Sequence, residues 1–384
     1  MNKPNYFFSQ PHQPFFVMGV INAILFMMLF MLSYKGVITF TTTPNLFHSY
    51  SLIFGVFTPF FLGFLLTTFP RFSQVPELEK SIYVTNFALL SSGLLLFLIG
   101  SLWSSILIYI GSFLVLGALV YTMVVFYQIY KASPMPELHD QQWIMVGFGS
   151  GIVSGLLFFI GFLTGSEIVF SLAKLIGIYL FLTITALSVG QRMIPFFSHV
   201  MIDKNLKLLP TVFALFALFI VFEVFELKIG FFFLFIAGIV LGKEIKIWKL
   251  PFQNSEPILW ILHLAIFWLP ISLILTGFAS LAEIIFEKDF IYVGIHLVML
   301  GFLTTVMIGF GTRVTLGHSG NNMVIDKRTK FLFYLTQIIV YFRALYSFSG
   351  SSIMFDITVT LWLILFIAWA VKYLPVLVVG KKIN

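Results

Sequence analysis

The chain contains no cysteine. That excludes disulfides, thiolate metal ligands, iron–sulfur clusters and covalent c-type haem attachment, so any metal must rest on histidine, methionine, tyrosine or carboxylate. Charge is almost as scarce. Asp, Glu, Lys and Arg make up 10% of the 384 residues, 60% are hydrophobic, and the mean hydropathy is +1.04. A soluble domain carries roughly 25% charged residues, so this composition reads as an integral membrane protein with no soluble domain. No Gly-rich phosphate loop of the Walker type is present, no Ser-His-Asp arrangement is readable from residue order, and no internal repeat is evident that would signal an inverted-repeat transporter. Acidic residues number 15 against 22 basic ones, a formal charge of +7. In a chain this apolar, that excess reads as cytoplasmic loop charge and not as a nucleic-acid surface.

What is present in quantity is long apolar runs, each of the ~20 residues needed to cross a bilayer core. Reading them against their breakers predicts an all-α polytopic protein of twelve spans, at 14–36, 44–69, 81–100, 103–130, 143–164, 168–190, 209–226, 229–247, 257–279, 290–316, 330–348 and 353–379. Thr43 before Pro44 has the form of a helix N-cap, and Ser255-Glu256-Pro257 has the same form. Seventeen Lys and Arg fall at the N-terminus, in the C-terminal region and in loops after even-numbered spans. Only Lys35, Lys228 and Lys288 follow odd-numbered ones. Such asymmetry predicts both termini on the cytoplasmic side.

The stretch most loaded with chemistry runs from Ile291 to Gly320, where an apolar helix carries His296 near its start, Arg313 at its end and His318 just beyond Gly317. A histidine inside an apolar span is costly unless it pairs, lines a cavity or binds something. By count from the span ends, His48 and His296 lie at similar depth below the outer face. Two imidazoles at one level could clamp a b-type haem, with Gly55 and Gly63 letting the macrocycle approach the backbone. His263 and His318, on the cytoplasmic side, are candidates for a second metal. His12, His139 and His199 read as solvated loop residues. Haem propionates call for a planar guanidinium, which makes Arg343, Arg192 and Arg313 candidates. Met18, Met299 and Met307 read as packing. The residues leave open a different class, a cofactor-free secondary transporter whose buried histidines relay protons or bind substrate.

Several segments together resemble a known family. Pro14-Phe15-Phe16 resembles the PFF opening of the NnrS family; His48 to Pro70 resembles its second-helix motif ending GFLLTAxP; Gly190 to Ser198, GQRMIPFFS, is similar to GxRxIPxFT; His263 to Pro270 resembles HLGYxWLP; and Arg313 to Gly320, RVTLGHSG, resembles RxxLGHTG. The resemblance implies a twelve-span protein containing haem and copper, linked to nitric oxide tolerance and denitrification, with partners that include the lipid bilayer, haem, nitric oxide and an electron donor. It carries His48, Arg192, His263, His296, Arg313 and His318. The family's His-Ala-His-Glu-Met is His48-Ser49-Tyr50-Ser51-Leu52 here, which puts copper in doubt, because tyrosine is a poorer copper ligand than histidine. Haem histidines on helices two and ten also resemble the catalytic subunit of haem–copper oxidases. The copper histidines expected there on spans six and seven are absent, so oxidase chemistry is not expected and catalytic turnover stays open.

Overall fold

The computed structural model describes residues 6–227 and 229–383. Among them there is no strand. Twelve long helices follow one another: α1 (His12–Tyr34), α2 (Pro44–Phe72), α3 (Lys80–Trp103), α4 (Ser105–Ala132), α5 (His139–Thr164), α6 (Glu167–Phe197), α7 (Leu208–Val224), α8 (Phe231–Ile247), α9 (Pro257–Phe286), α10 (Val293–His318), α11 (Lys327–Ser349) and α12 (Ser352–Val379). Ten are long and apolar enough to cross a membrane; α7 is shorter, and α8 carries Lys243, Glu244 and Lys246 near its end. Large apolar side chains such as Trp103, Ile106 and Phe113 stand exposed on helix faces, as lipid contact requires. The chain is a membrane protein.

Contacts divide it into two compact units, Met1–Gly177 with Val314–Asn322 and Phe366–Asn384, and Ile178–Arg313 with Met323–Leu365. In the first, α1 packs on α2 through glycines. A methyl group at Gly55 would stand 2.4 Å from Phe26, and one at Gly63 would stand 2.8 Å from Phe16. These two glycines therefore admit phenylalanine rings and not a macrocycle, which corrects the role expected of them. The hairpin between α3 and α4 is tight, with only Ser104 between the helices. It closes so far that an added Cβ at Gly100 would lie 2.4 Å from the backbone N of Ile108. Gly100→Val is expected to cost at least about 1–3 kcal/mol through overpacking against backbone, read as a lower unfolding midpoint of the purified protein in detergent. In the second unit α9 packs on α10 in the same manner, with Trp268 over Gly301 and Thr276 over Gly294.

The cap at Thr43 forms as its sequence implies, its Oγ1 accepting from Leu46 N at 3.3 Å. The cap expected at Ser255 does not. The residue before α9 is Glu256, while the Ser255 hydroxyl donates to the Pro251 carbonyl and faces His263.

Three helices depart from α geometry, and they do so in one register. α2 is π-helical over Ser51–Phe57, α6 over Ile176–Thr183 and α10 over Leu297–Thr304. Each segment begins seven residues before a threonine, and that threonine's hydroxyl donates to the carbonyl five residues back: Thr58 to Ile53 at 2.8 Å, Thr183 to Ile178 at 2.9 Å and Thr304 to Met299 at 2.8 Å. Twelve residues past the threonine stand Pro70, Pro195 and Leu316, whose carbonyls accept from the N–H of Val75, Val200 and Asn321. Between them come Ser73, Ser198 and Ser319, then a residue in the left-handed region: Gln74 (φ 53°), His199 (φ 54°) and Gly320 (φ 63°). Such a Schellman cap is common at helix ends. Its fixed distance from a long π segment is not, because π geometry is rare and usually limited to a single turn. The three helices are each the second of four, α1–α4, α5–α8 and α9–α12, so the chain carries a threefold internal repeat that inspection of the sequence missed. They are also the most buried of the candidate spans, at 100%, 67% and 83% against 56% or less for the others.

Candidate functional site

His296 ends the single α-turn that precedes the π segment of α10. Its Nδ1 lies 2.9 Å from the Tyr292 carbonyl oxygen and 2.8 Å from Nη2 of Arg343 on α11. A guanidinium only donates and a carbonyl only accepts, so one ring nitrogen cannot satisfy both at once. If Nδ1 carries the proton and donates to Tyr292, the Nε2 lone pair is left for a metal, which is how ligating imidazoles are ordinarily held. If Nδ1 accepts from Arg343, the proton sits on Nε2 and that nitrogen is closed to metal. Arg343 is buried and independently fixed, with Nη1 donating to Ser347 Oγ at 2.5 Å, Nη2 donating to the Ile291 carbonyl at 3.2 Å, and the guanidinium 4.9 Å from the Tyr346 ring. Ser347 Oγ donates to the same Ile291 carbonyl at 2.8 Å. Sequence reading could not pair Arg343 with His296, which lie 47 residues apart on different helices.

His48 sits near the start of α2, half-buried, its ring stacked on Phe30 at 4.2 Å and 26°. It lies ten residues before Thr58, whereas His296 lies eight before Thr304. In the repeat register the counterpart of His296 is thus Tyr50, and His48 stands two residues, about 3 Å, nearer its helix start. Tyr50 is fully buried among Phe54, Phe97, Phe158 and Phe162, with ring centroids 4.3 to 5.6 Å away. An aromatic cage of this kind does not fit a copper ion.

His263 is buried, with Nε2 2.6 Å from Ser198 Oγ and Nδ1 3.1 Å from Ser255 Oγ. A neutral ring can donate to one hydroxyl and accept from the other, so its polar atoms are satisfied inside the protein. His318 has other neighbours: its Nδ1 bonds Gln10 Oε1 at 2.7 Å, and its ring lies 4.8 Å from that of His12. His263 and His318 thus each have partners of their own. His12 corrects its sequence reading outright. It opens α1 instead of lying in a loop, and it is 3% exposed. His139 likewise opens a helix, half-buried, while His199 is exposed. Arg313 stacks on the Phe197 ring at 3.8 Å, and Arg192 occupies the same repeat position, nine residues after its threonine. Among the described residues no three His, Cys, Asp or Glu side chains cluster as a metal site.

The profile described as NnrS protein matches residues 6–380, nearly the whole chain. The chain belongs to the NnrS family. Comparison with curated proteins gave no match. Haem is the group that the resemblance implies for this family, and it can be tested against the donors present. His296, with a carbonyl at Nδ1, suits an axial nitrogen ligand to iron; Tyr50, caged by phenylalanines, does not suit the copper that the family's second histidine implies. As an NnrS protein, this chain has His48 and His296 as the residues that would hold haem, and beside His48 it has Tyr50 where the family's second histidine would stand.

Proposed function

We propose that this NnrS protein is a twelve-span inner-membrane haem protein with both termini in the cytoplasm, acting in the response to nitric oxide and related nitrogen oxides. The observation that carries the haem assignment is His296, whose Nδ1 lies 2.9 Å from the Tyr292 carbonyl, the contact that ordinarily orients a ligating imidazole. His48 is the second candidate ligand. Family membership supports the physiological role. A b-type haem supplies one-electron chemistry and, where one axial ligand can be displaced, a position for nitric oxide. The chain's own residues hold and tune that group. On this reading His296 donates Nδ1–H to the Tyr292 carbonyl, the tautomer a ligating imidazole takes, and the Arg343 guanidinium stands against the ring as a charge and not as the hydrogen-bond donor to Nδ1. Arg343 is thus a positioning residue. Arg313 lies seventeen residues from His296 along α10, about 25 Å at the α-helical rise, so a haem held on His296 draws its basic contacts from Arg343 and not from Arg313 or its counterpart Arg192. The twelve-span reading is supported by the repeat, which makes α7 and α8 the counterparts of the long pairs α3–α4 and α11–α12.

The test is an absorption spectrum of protein purified from haem-replete cells, with and without dithionite. A Soret band that sharpens on reduction is expected, and His296→Ala and His48→Ala should each lose the band or move it. Absence of the band from the wild type would sink the haem reading in favour of the cofactor-free carrier. A variant with unchanged haem content and spectrum would remove that histidine from the ligand set.

A further inference from the structure

The repeat generates three comparable junctions, each where the capped end of one repeat's second helix meets the first helix of the next repeat. At the first, Gln141 Nε2 of α5 donates to the Phe72 carbonyl at the end of α2, at 3.0 Å. At the second, His263 of α9 bonds Ser198 at the end of α6. At the third, His12 of α1 meets His318 at the end of α10. The first two junctions are closed by a direct hydrogen bond. The third brings two imidazoles together with no bond between them, and Nδ1 of His12 is buried without a hydrogen-bond partner. A buried nitrogen without a partner bears an uncompensated desolvation cost; Gln141 Oε1 at the first junction is buried in the same way, but that junction is already closed by its own amide nitrogen.

We propose that His12 and His318 form a binding site for a divalent transition-metal ion. His318 is prepared for this. Its Nδ1 is taken up by Gln10 Oε1, which fixes the tautomer that presents Nε2, as second-shell carbonyls do at metal sites. Gln10 is itself anchored, its backbone N donating to Gln13 Oε1 at 2.8 Å. The ring separation fits one shared ion. With metal–nitrogen bonds of about 2.0–2.1 Å and the nitrogen about 1.1 Å from its ring centroid, two imidazoles at roughly 100° have centroids about 5 Å apart, against 4.8 Å here. A linear two-coordinate ion would need a separation of about 6 Å by the same sum, so the geometry favours a bent pair whose remaining positions are filled from solvent or by an exchangeable ligand. Imidazole nitrogen selects zinc, copper, nickel or iron over magnesium or calcium. Arg71, the basic group that interacts electrostatically with both rings, carries Glu77 on its guanidinium at 2.8 Å, which offsets its charge.

The site is independent of the proposed haem. It is tested on the full-length protein in detergent, with any purification tag removed and metals stripped, using Cu(II) as the probe in equilibrium dialysis and electron paramagnetic resonance. One tightly bound Cu(II) per chain is expected, with superhyperfine splitting from two nitrogens. His12→Gln and His318→Gln should each weaken binding at least 10-fold and leave one nitrogen in the spectrum, and Gln10→Leu should weaken it about 10-fold, in line with second-shell losses elsewhere. His263→Gln should leave stoichiometry and spectrum unchanged. Absence of stoichiometric binding, a spectrum indifferent to His12→Gln and His318→Gln, or loss on His263→Gln would each overturn the proposal. The Soret band, read on the same samples, reports the haem separately and confirms that each variant is folded.

Discussion

Arg343→Met is expected to split into two effects, a loss of stability and a downward shift of the haem reduction potential, and Arg343→Lys to restore the second without the first. The guanidinium donates to both Ser347 Oγ and the Ile291 carbonyl, joining the middle of α11 to the segment that leads into α10. Hydrogen bonds from a charged donor are worth about 1.5–3 kcal/mol each, so losing both costs on the order of 3 kcal/mol, visible as a lower midpoint in thermal unfolding. Ser347 still donates to Ile291 in the variant, which keeps the loss from being larger. The electronic effect is separate. A fixed positive charge 2.8 Å from His296 Nδ1 disfavours the extra positive charge of ferric iron on the same ring, so its removal stabilises the oxidised form and the potential falls. Lysine keeps the charge but lacks the planar fork. A potentiometric titration of the Soret band gives the outcome: an unchanged potential in Arg343→Met would mean that His296 does not ligate haem iron.

Much of this architecture was legible in the sequence, because bilayer crossing demands long apolar runs and little else. Each predicted apolar run coincides with a helix, although α6 and α9 continue seven residues past the predicted ends, and the Thr43-Pro44 start forms as written. Reading failed where a side chain's role depends on what lies across from it. His12 sits between Pro11 and Gln13 and has every local mark of a loop residue, yet α1 begins there and buries it against His318. Gly55 and Gly63 look like space left for a ligand, and the space is filled by Phe26 and Phe16. Ser255 resembles a helix cap, but its hydroxyl serves His263. The repeat escaped inspection because it is conserved in backbone geometry and not in residue type: Pro70, Pro195 and Leu316 share a position, as do Gln74, His199 and Gly320. One signal was present in plain view. Thr58, Thr183 and Thr304 each precede a serine by fifteen residues, a spacing that a search of the chain against itself can find.

Deleting one residue within Leu297–Thr304 is expected to be the most damaging small change in α10, far beyond Thr304→Val. The π segment of α10 is eight residues long, more than the single turn that one inserted residue ordinarily opens, so one deletion does not return it to α geometry. Everything before it still turns by about 100° and moves by about 1.5 Å relative to everything after it. His296 would leave Arg343, and Gly294 would no longer present its bare face to Thr276, where a Cβ would meet a side-chain atom at 2.4 Å. Arg313 and His318, beyond the segment, would keep their contacts with Phe197 and Gln10. The deletion should therefore abolish the Soret band and lower the unfolding midpoint, while Cu(II) binding at His12 and His318 survives in the fraction that folds. Thr304→Val removes only the hydroxyl bond to Met299, worth about 1 kcal/mol, and should leave the spectrum in place. Equal damage from the two changes would mean that the register across the π segment sets nothing beyond local stability. Retention of a normal Soret band by the deletion variant would show that the ligand on α10 does not lie before the π segment, and so is not His296.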